Sequence, residues 1–145
     1  KGGEVFLGEY KHTMDSKGRI VIPSKFRKEL QQGCVVTKGL DNCLQILTKK
    51  NWNQESEKMA SLPSTDKTSR QLRRALFSGA VDSSLDSAGR IQIPENLRMY
   101  SSIKENDDVT VTGSGPVIEI WATKTWKKIQ SDSDDAFANI NEVKG

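Results

Sequence analysis

Two aspartate–arginine pairs are the side chains whose types and spacing could bind a ligand. Asp15 and Arg19 lie four residues apart, and Asp86 and Arg90 repeat that spacing. Such a pair can form an ion pair across a tight turn, which stabilises a fold by about 0.2 to 1 kcal/mol. Arginine can also contact phosphate groups or guanine bases through two parallel hydrogen bonds. The residue types alone leave a structural role and a nucleic-acid-binding role open.

The two pairs belong to a nine-residue segment that occurs twice, as residues 15–23 and 86–94. The segments read DSKGRIVIP and DSAGRIQIP. At an offset of 71 positions, ten of the twenty-two residues from 6 to 27 are identical in the second copy. These ten are Phe6, Gly8, Asp15, Ser16, Gly18, Arg19, Ile20, Ile22, Pro23 and Arg27. Internal repetition predicts a chain that folds as two copies of one supersecondary unit.

Each segment predicts a β-hairpin with a three-residue turn. Gly18 and Gly89 supply the left-handed position that this turn needs. The turn pairs Asp15 with Arg19 on the outer face, and the period of two gives an inner face made of apolar residues. The inner residues of the two copies are Met14, Ile20, Ile22, Leu85, Ile91 and Ile93, with Met14 expected to face Ile20 across the hairpin.

The outer face has features of a DNA-binding surface. The residue two positions after the arginine differs between the copies, Val21 against Gln92, whereas the arginine is retained. Lys17 adds a charge at the tip of the first turn, and a two-stranded β-element with such a tip can enter a DNA groove. We therefore predict DNA contacts by Lys17, Arg19 and Arg90, with Asp15, Asp86, Gly18 and Gly89 as structural partners. Lys25, Arg27 and Lys28 on the adjoining helix could hold phosphates.

The elements around these segments predict an α+β, strand-rich chain. Residues 6–60 are expected to form the first repeat with its helix, 61–76 a connecting helix, and 77–130 the second repeat with its helix. Residues 1–5 are expected to be an extension or a cloning remnant. Residues 131–145 turn polar and acidic without periodicity, which predicts a disordered tail.

Composition limits the function classes. The chain has 145 residues, is 34% hydrophobic and contains no long apolar run, so a membrane span and a signal peptide are not expected. Cys34 and Cys43 have no metal-binding spacing and predict reduced, buried thiols in a reducing compartment. The net charge of +3 becomes +6 without the acidic last fifteen residues, which is compatible with a polyanionic partner. Halves of about 70 residues should pack on each other or on other chains.

The sequence argues against an enzyme. His12 is the sole histidine and is expected to lie on the inner face as a core residue. Cys43 lies near Asp41 but has no positioned base in sequence reach. Motifs that bind phosphates, metals or dinucleotides are absent from the sequence, so no catalytic residue, metal, cofactor or small-molecule substrate is expected. Arg70, Arg73 and Arg74 form the densest basic cluster, which is interpreted as a solvated or ion-paired helix face.

Several segments together resemble the MraZ family of bacterial transcriptional regulators of the division and cell wall gene cluster. These are FLGEY at 6–10, the two DxxGRIxIP motifs, GLDNCL at 39–44, FSGA at 77–80 and IEIW at 118–121. The resemblance implies two swapped-hairpin halves of the AbrB-like, double-split β-barrel type. It further implies a homo-oligomeric ring, most often an octamer, and binding of short G-rich direct repeats in the cluster's promoter.

The same resemblance implies that Arg19, Arg90 and Lys17 face the DNA, and that the protein is cytoplasmic and nucleoid-associated. The second copy departs from the first at the tip, where Ala88 replaces Lys17. The alternative hypothesis is a ring-forming protein-interaction scaffold with only non-specific affinity for DNA.

Overall fold

A computed structural model describes residues 5–140 of the chain. Within that range the fold is α+β and strand-rich. The strands are β1 (Glu9–Thr13), β2 (Arg19–Val21), β3 (Cys34–Lys38), β4 (Leu44–Thr48), β5 (Val81–Ser83), β6 (Arg90–Gln92), β7 (Asp108–Ser114) and β8 (Val117–Ala122). The helices are α1 (Ser24–Arg27), α2 (Lys49–Ala60), α3 (Lys67–Gly79), α4 (Glu95–Ser101) and α5 (Thr123–Ala138). Short 3-10 turns follow α1 at Lys28–Leu30 and precede β4 at Leu40–Asn42.

The strands form two sheets that both contain strands of the two repeats. A six-stranded sheet has the order β1-β7-β8-β4-β3-β5, and a two-stranded sheet pairs β2 with β6. All these pairings are antiparallel. The first strand of each repeat joins the other repeat, because β1 pairs with β7 and β5 pairs with β3. The fold of one repeat is therefore completed by strands of the other.

An approximate two-fold axis relates the repeats. In the two-stranded sheet Ile20 lies directly opposite Ile91, its own counterpart in the second repeat. In the large sheet Gln45 on β4 lies opposite Glu119 on β8. If each strand of the large sheet is replaced by its counterpart in the other repeat, the same strand order results, read from the opposite edge. The two arginine-bearing strands consequently run side by side in opposite directions.

The predicted hairpin is confirmed at its turn and wrong beyond it. The Asp15 amide donates to the Arg19 carbonyl at 2.9 Å, and Gly18 adopts the predicted left-handed conformation with φ 77°. However, β1 and β2 then diverge into different sheets, and Met14 bonds to the segment before β7 instead of facing Ile20. Each of these strands has a counterpart with the same apolar alternation in the other repeat. The sequence pattern alone therefore does not determine which strand it pairs with.

The predicted inner residues form the core. Met14, Ile20, Ile22, Ile91 and Ile93 are fully buried, and Leu85 packs against them. Phe26 and Leu30 turn inward from the short helical segment after β2. Phe26 also meets the rings of Phe6 and Tyr10 edge-on, at centroid distances of 5.2 and 5.4 Å. Both small repeats thus contribute to one core.

The helix predicted to connect the repeats over residues 61–76 forms from Lys67 to Gly79, and the larger difference lies at the end of the chain. Thr48 and Asp66 cap α2 and α3, because each side chain accepts a backbone N–H bond from the first turn. The predicted disorder from residue 131 is wrong as far as Ala138, where α5 ends. Residues 141–145 of that predicted tail lie outside the described residues, as do 1–4. In residues 5–140 no helix is both long and apolar enough to span a membrane.

Candidate nucleic-acid interface

The Asp15 carboxylate organises the first turn. One oxygen, Oδ1, accepts the backbone N–H groups of Lys17 and Arg19 at 2.9 Å each. The other oxygen accepts the Nε–H of Arg19 at 2.8 Å. Aspartate in this position mimics a backbone turn, so the side chain fixes both the loop and the direction of the arginine. The turn is therefore built to hold Arg19 in one orientation.

The second turn repeats this geometry. Asp86 accepts the N–H groups of Ala88 and Arg90 at 2.9 Å each and the Arg90 Nε–H at 2.8 Å. Within residues 5–140, the terminal guanidinium nitrogens of Arg19 and Arg90 have no protein hydrogen-bond partner. Both groups keep donors for a ligand, and both side chains are partly buried. Held arginines with unused donors suit planar recognition of phosphate or guanine.

Both carboxylates titrate below their usual range. At Asp15 desolvation raises the pKa, but the hydrogen bonds from Arg19 and Lys17 and the Arg19 charge outweigh it and lower the pKa. At Asp86 the backbone N–H of Arg90 is the main cause of the lowered pKa, assisted by its side chain and opposed by desolvation. The aspartates are consequently ionised at neutral pH and keep the arginines paired.

The two arginines share one face of the two-stranded sheet. Arg19 lies opposite Gln92, and Val21 lies opposite Arg90. Residues opposite each other in an antiparallel pair point to the same side. Arg19 and Arg90 are therefore diagonal neighbours with Cα atoms about 7–8 Å apart. The pairing brings the two predicted DNA-contacting arginines onto a single surface, which we call the β2–β6 face and define by Arg19, Val21, Arg90 and Gln92.

A family model described as "MraZ protein, putative antitoxin-like" matches residues 5–75 and, a second time, residues 76–143. The chain belongs to the MraZ family. The two matches cover almost the whole chain, and each contains one aspartate–arginine turn. The β2–β6 face is thus made of one strand from each MraZ repeat.

Arginine 27 and its counterpart Arg98 lock the two MraZ repeats together at these turns. Each donates its Nε–H to a backbone carbonyl of its own repeat, Ile22 at 2.8 Å and Ile93 at 2.9 Å. Each guanidinium then packs against the turn glycine of the other repeat, Arg27 against Gly89 and Arg98 against Gly18. A Cβ atom at Gly89 would overlap the Arg27 guanidinium, and a Cβ atom at Gly18 would lie 3.1 Å from that of Arg98, a tight contact.

The structure gives Arg27 a structural role next to the predicted DNA contacts. Its predicted contact with phosphate remains a prediction, as do those of Lys25 and Lys28, which lie exposed on α1 and the following 3-10 turn. Lys17 is exposed at the tip of its turn. Sequence reasoning missed Arg98, although Arg27 and Arg98 are identical positions of the repeat. The occurrence of the same arginine at this position in both repeats was the sequence signal for Arg98.

Gln92 was also missed, and it makes the two turns unequal. Its side-chain amide donates to the carbonyl oxygens of Lys17 at 2.8 Å and Gly18 at 3.4 Å. The counterpart of Gln92 in the first MraZ repeat is Val21, which cannot donate such bonds to the Ala88 turn. The lysine-bearing turn therefore has an additional clamp from the opposite strand. The only advance signal was that this outer position differs between the copies.

The groups considered for catalysis lie elsewhere. His12 is half-buried on β1, where burial and then the Arg27 charge lower its pKa. Burial raises the pKa of the Cys34 thiol to about 11 and that of Cys43 to about 12. Arg70 and Arg73 donate to loop carbonyls at Ser64 and Leu62. These two arginines close the loop between α2 and α3.

Proposed function

We propose that the protein is a sequence-specific DNA-binding transcriptional regulator and that the β2–β6 face contacts DNA. The proposal adds no catalytic step and no cofactor. The observation that supports this proposal most strongly is that Arg19 and Arg90, one from each MraZ repeat, lie on one surface. An aspartate holds each arginine, and their terminal guanidinium nitrogens keep hydrogen-bond donors for a ligand. Membership of the MraZ family supports the same reading.

The proposed contact has two parts. The arginines and Lys17 would enter a groove from the paired turns, where arginine is the preferred reader of guanine. Exposed Lys25 and Lys28 beside the first turn would contact phosphates and fix the register. The G-rich character of the proposed operator follows from the family resemblance and from the preference of arginine for guanine.

We further propose that each chain forms two AbrB-like swapped-hairpin halves and that chains assemble into a ring, most often an octamer. The pairing of β1 with β7 and of β5 with β3 supports the swapped arrangement. A ring would present many paired turns, so binding to several direct repeats would gain from multivalency. One DNA box should bind poorly, and several boxes at the proper spacing should bind well. The proposed location is the cytoplasm, in association with the nucleoid.

The decisive experiment measures binding to the DNA upstream of the protein's own gene cluster, with a scrambled duplex of the same composition as control. The regulator predicts strong preference for the native sequence and a steep loss of affinity with salt, since several phosphates are contacted. Equal affinity for both duplexes would overturn the proposal. That result would favour the alternative, a ring-forming interaction scaffold with non-specific DNA affinity.

A further inference from the structure

The last turn of α5 carries a large apolar side chain, Phe137, that residues 5–140 do not bury. Trp126 and Ile129 lie half-buried on the inner side of α5, and Trp126 packs against Trp121 at a ring-centroid distance of 5.5 Å. Phe137 is eleven residues after Trp126, which returns it to the same side of the helix. However, Phe137 is 82% exposed, whereas Trp126 and Ile129 are half-buried. Ile140, two residues beyond the end of the helix, is also exposed.

We call residues 131–140 the α5 overhang. All ten are exposed, and they include Asp132, Asp134 and Asp135 but no basic residue. Phe137 and Ile140 give this acidic segment an exposed apolar end, because their side chains are 82% and 55% exposed. The overhang is therefore a candidate docking element.

A matching groove lies between α2, α3 and the β3–β4 strands, with Tyr100 of α4 completing its lining. Its volume is about 420 Å³, and we call it the α2–α3 groove. The apolar residues of its lining are Leu40, Leu47, Trp52, Met59, Leu72 and Leu76. Leu40 is 76% exposed and Leu72 is 44% exposed, so the groove is open to a partner. Lys38 and Glu55 are the charged residues in its lining.

Charge distinguishes the possible occupants. The helix that forms one wall, α3, carries Lys67, Arg70, Arg73 and Arg74 and no acidic residue. The α5 overhang carries three acids and no base. An apolar knob on an acidic segment therefore meets an apolar groove beside a basic helix, and both are in the same sequence. The overhang cannot fill the groove of its own chain in this structure, because Phe137 is almost fully exposed.

We propose that the α5 overhang of one chain docks in the α2–α3 groove of a second copy, with Phe137 as the apolar anchor. Each copy then offers one knob and one groove at different places, so the contact is head-to-tail. Such a contact repeats from chain to chain until a ring closes. The inference rests on the proposed self-association and names the surfaces that would carry it. It also gives the α3 arginines a role in attracting the next chain.

The test uses one variant that lacks the Phe137 anchor and another that lacks the groove. Phe137→Asp removes the knob and leaves the groove, whereas Leu72→Asp blocks the groove and leaves the knob. Sedimentation velocity should show an oligomer for the unmodified protein and a monomer for each variant. An equal mixture of the two variants should give a heterodimer and nothing larger, because one intact knob and one intact groove remain. Met99→Asp, at an apolar residue that is 73% exposed and outside both the overhang and the groove, should assemble normally.

The outcomes distinguish this inference from the proposed function. If the unmodified protein is monomeric, the proposed ring fails together with this contact. An unmodified oligomer that survives both substitutions would overturn the contact and leave the proposed DNA-binding ring intact. Monomeric variants that do not pair with each other would also overturn it. Circular dichroism verifies folding, and Leu40→Asp on the exposed rim of the groove replaces Leu72→Asp if the latter unfolds.

Discussion

The guanidinium of Arg27 in the first repeat packs against Gly89 in the turn of the second repeat. The reciprocal contact joins Arg98 to Gly18, where the guanidinium carbon lies 3.1 Å from the position that a Cβ atom would take. Each aspartate–arginine turn is thus contacted by an arginine that belongs to the other repeat. Stability and the shape of the proposed interface depend on the same two contacts.

Gly89→Ala should be much more destabilising than Gly115→Ala. Both glycines have positive φ, 76° and 73°, so alanine carries a similar backbone cost of about 1–2 kcal/mol at either site. At Gly115 nothing lies within 4 Å of the new methyl group, whereas at Gly89 it meets the Arg27 guanidinium. The methyl group should displace this guanidinium and break its hydrogen bond to the Ile22 carbonyl, which should add about 0.5–1.5 kcal/mol. Urea unfolding measures both, and equal losses would contradict the predicted contact.

Arg19→Ala and Arg90→Ala should weaken operator binding without unfolding the chain. Loss of a guanine or phosphate contact should cost about 1–3 kcal/mol, roughly 5- to 150-fold in affinity. Loss of a partly exposed ion pair should cost the fold only about 0.2–1 kcal/mol. Fluorescence anisotropy with operator DNA gives the affinities. Lys128→Ala, at an exposed lysine of α5 outside the overhang, removes the same charge away from the β2–β6 face and serves as the control.

The two arginines should not contribute equally. Arg19 stands beside Lys17 and has the Gln92 clamp, whereas Arg90 stands beside Ala88. We therefore expect the larger loss for Arg19→Ala. If either substitution instead breaks the oligomer or unfolds the chain, the pair at that position is structural, and the DNA-binding role assigned to it is wrong.

Gln92→Val should loosen the first turn and make it resemble the second. The substitution copies the residue that the first repeat has at this position, Val21, and removes the bond to the Lys17 carbonyl. One hydrogen bond corresponds to about 1 kcal/mol, so operator affinity should fall about five-fold. Amide exchange at Gly18 and Arg19 should speed up, while exchange at Arg90 should not. Unchanged exchange at the first turn would show that Gln92 does not hold it.

Acid should weaken the turns in a defined window. The pKa values of Asp15 and Asp86 are lowered in the folded state, so their contribution is complete above about pH 3.9, the unfolded value. It is lost as the pH falls below that value and through the lowered folded pKa. The double variant Asp15→Asn and Asp86→Asn should be less stable at pH 7 and lose less stability between pH 4 and 2. Parallel pH curves for the two proteins would contradict this.

The thiols should be inert while the chain is folded. Burial raises the pKa of Cys34 to about 11 and that of Cys43 to about 12, and thiolate is the reactive form. Ellman's reagent at pH 8 should therefore find no reactive thiol in the native protein and two in guanidinium chloride. A fast-reacting thiol in the folded protein would show that one of these side chains is accessible.

The sequence predicted local features of the site better than its assembly. The aspartate–arginine turn follows from its glycine and from side-chain chemistry within five residues, and the inner isoleucines follow from a period of two. The partner of β2 did not follow, because a strand's apolar alternation fits its own neighbour and the equivalent strand of the other repeat equally well. Hence the sequence did not predict that Arg19 and Arg90 share a face or that Arg27 contacts Gly89.

The error at the end of the chain has a different cause. Residues 131–138 contain serine, aspartate and alanine, which alone predict disorder, but they continue a helix already anchored by Trp126 and Ile129. A helix that has begun extends at low cost per residue. The composition of residues 131–138 alone does not reveal that a helix already runs into them.

Four of the six strand pairings join one repeat to the other. Neither repeat could therefore be dissected out as an autonomous module, because each would expose unpaired edges where its partner's strands belong. By contrast, after a protease cut in the loop between α2 and α3 the two fragments should stay associated, because the strand pairings between the repeats remain. The molecule behaves as a dimer whose subunits were joined by a peptide bond, and it should unfold in a single cooperative transition.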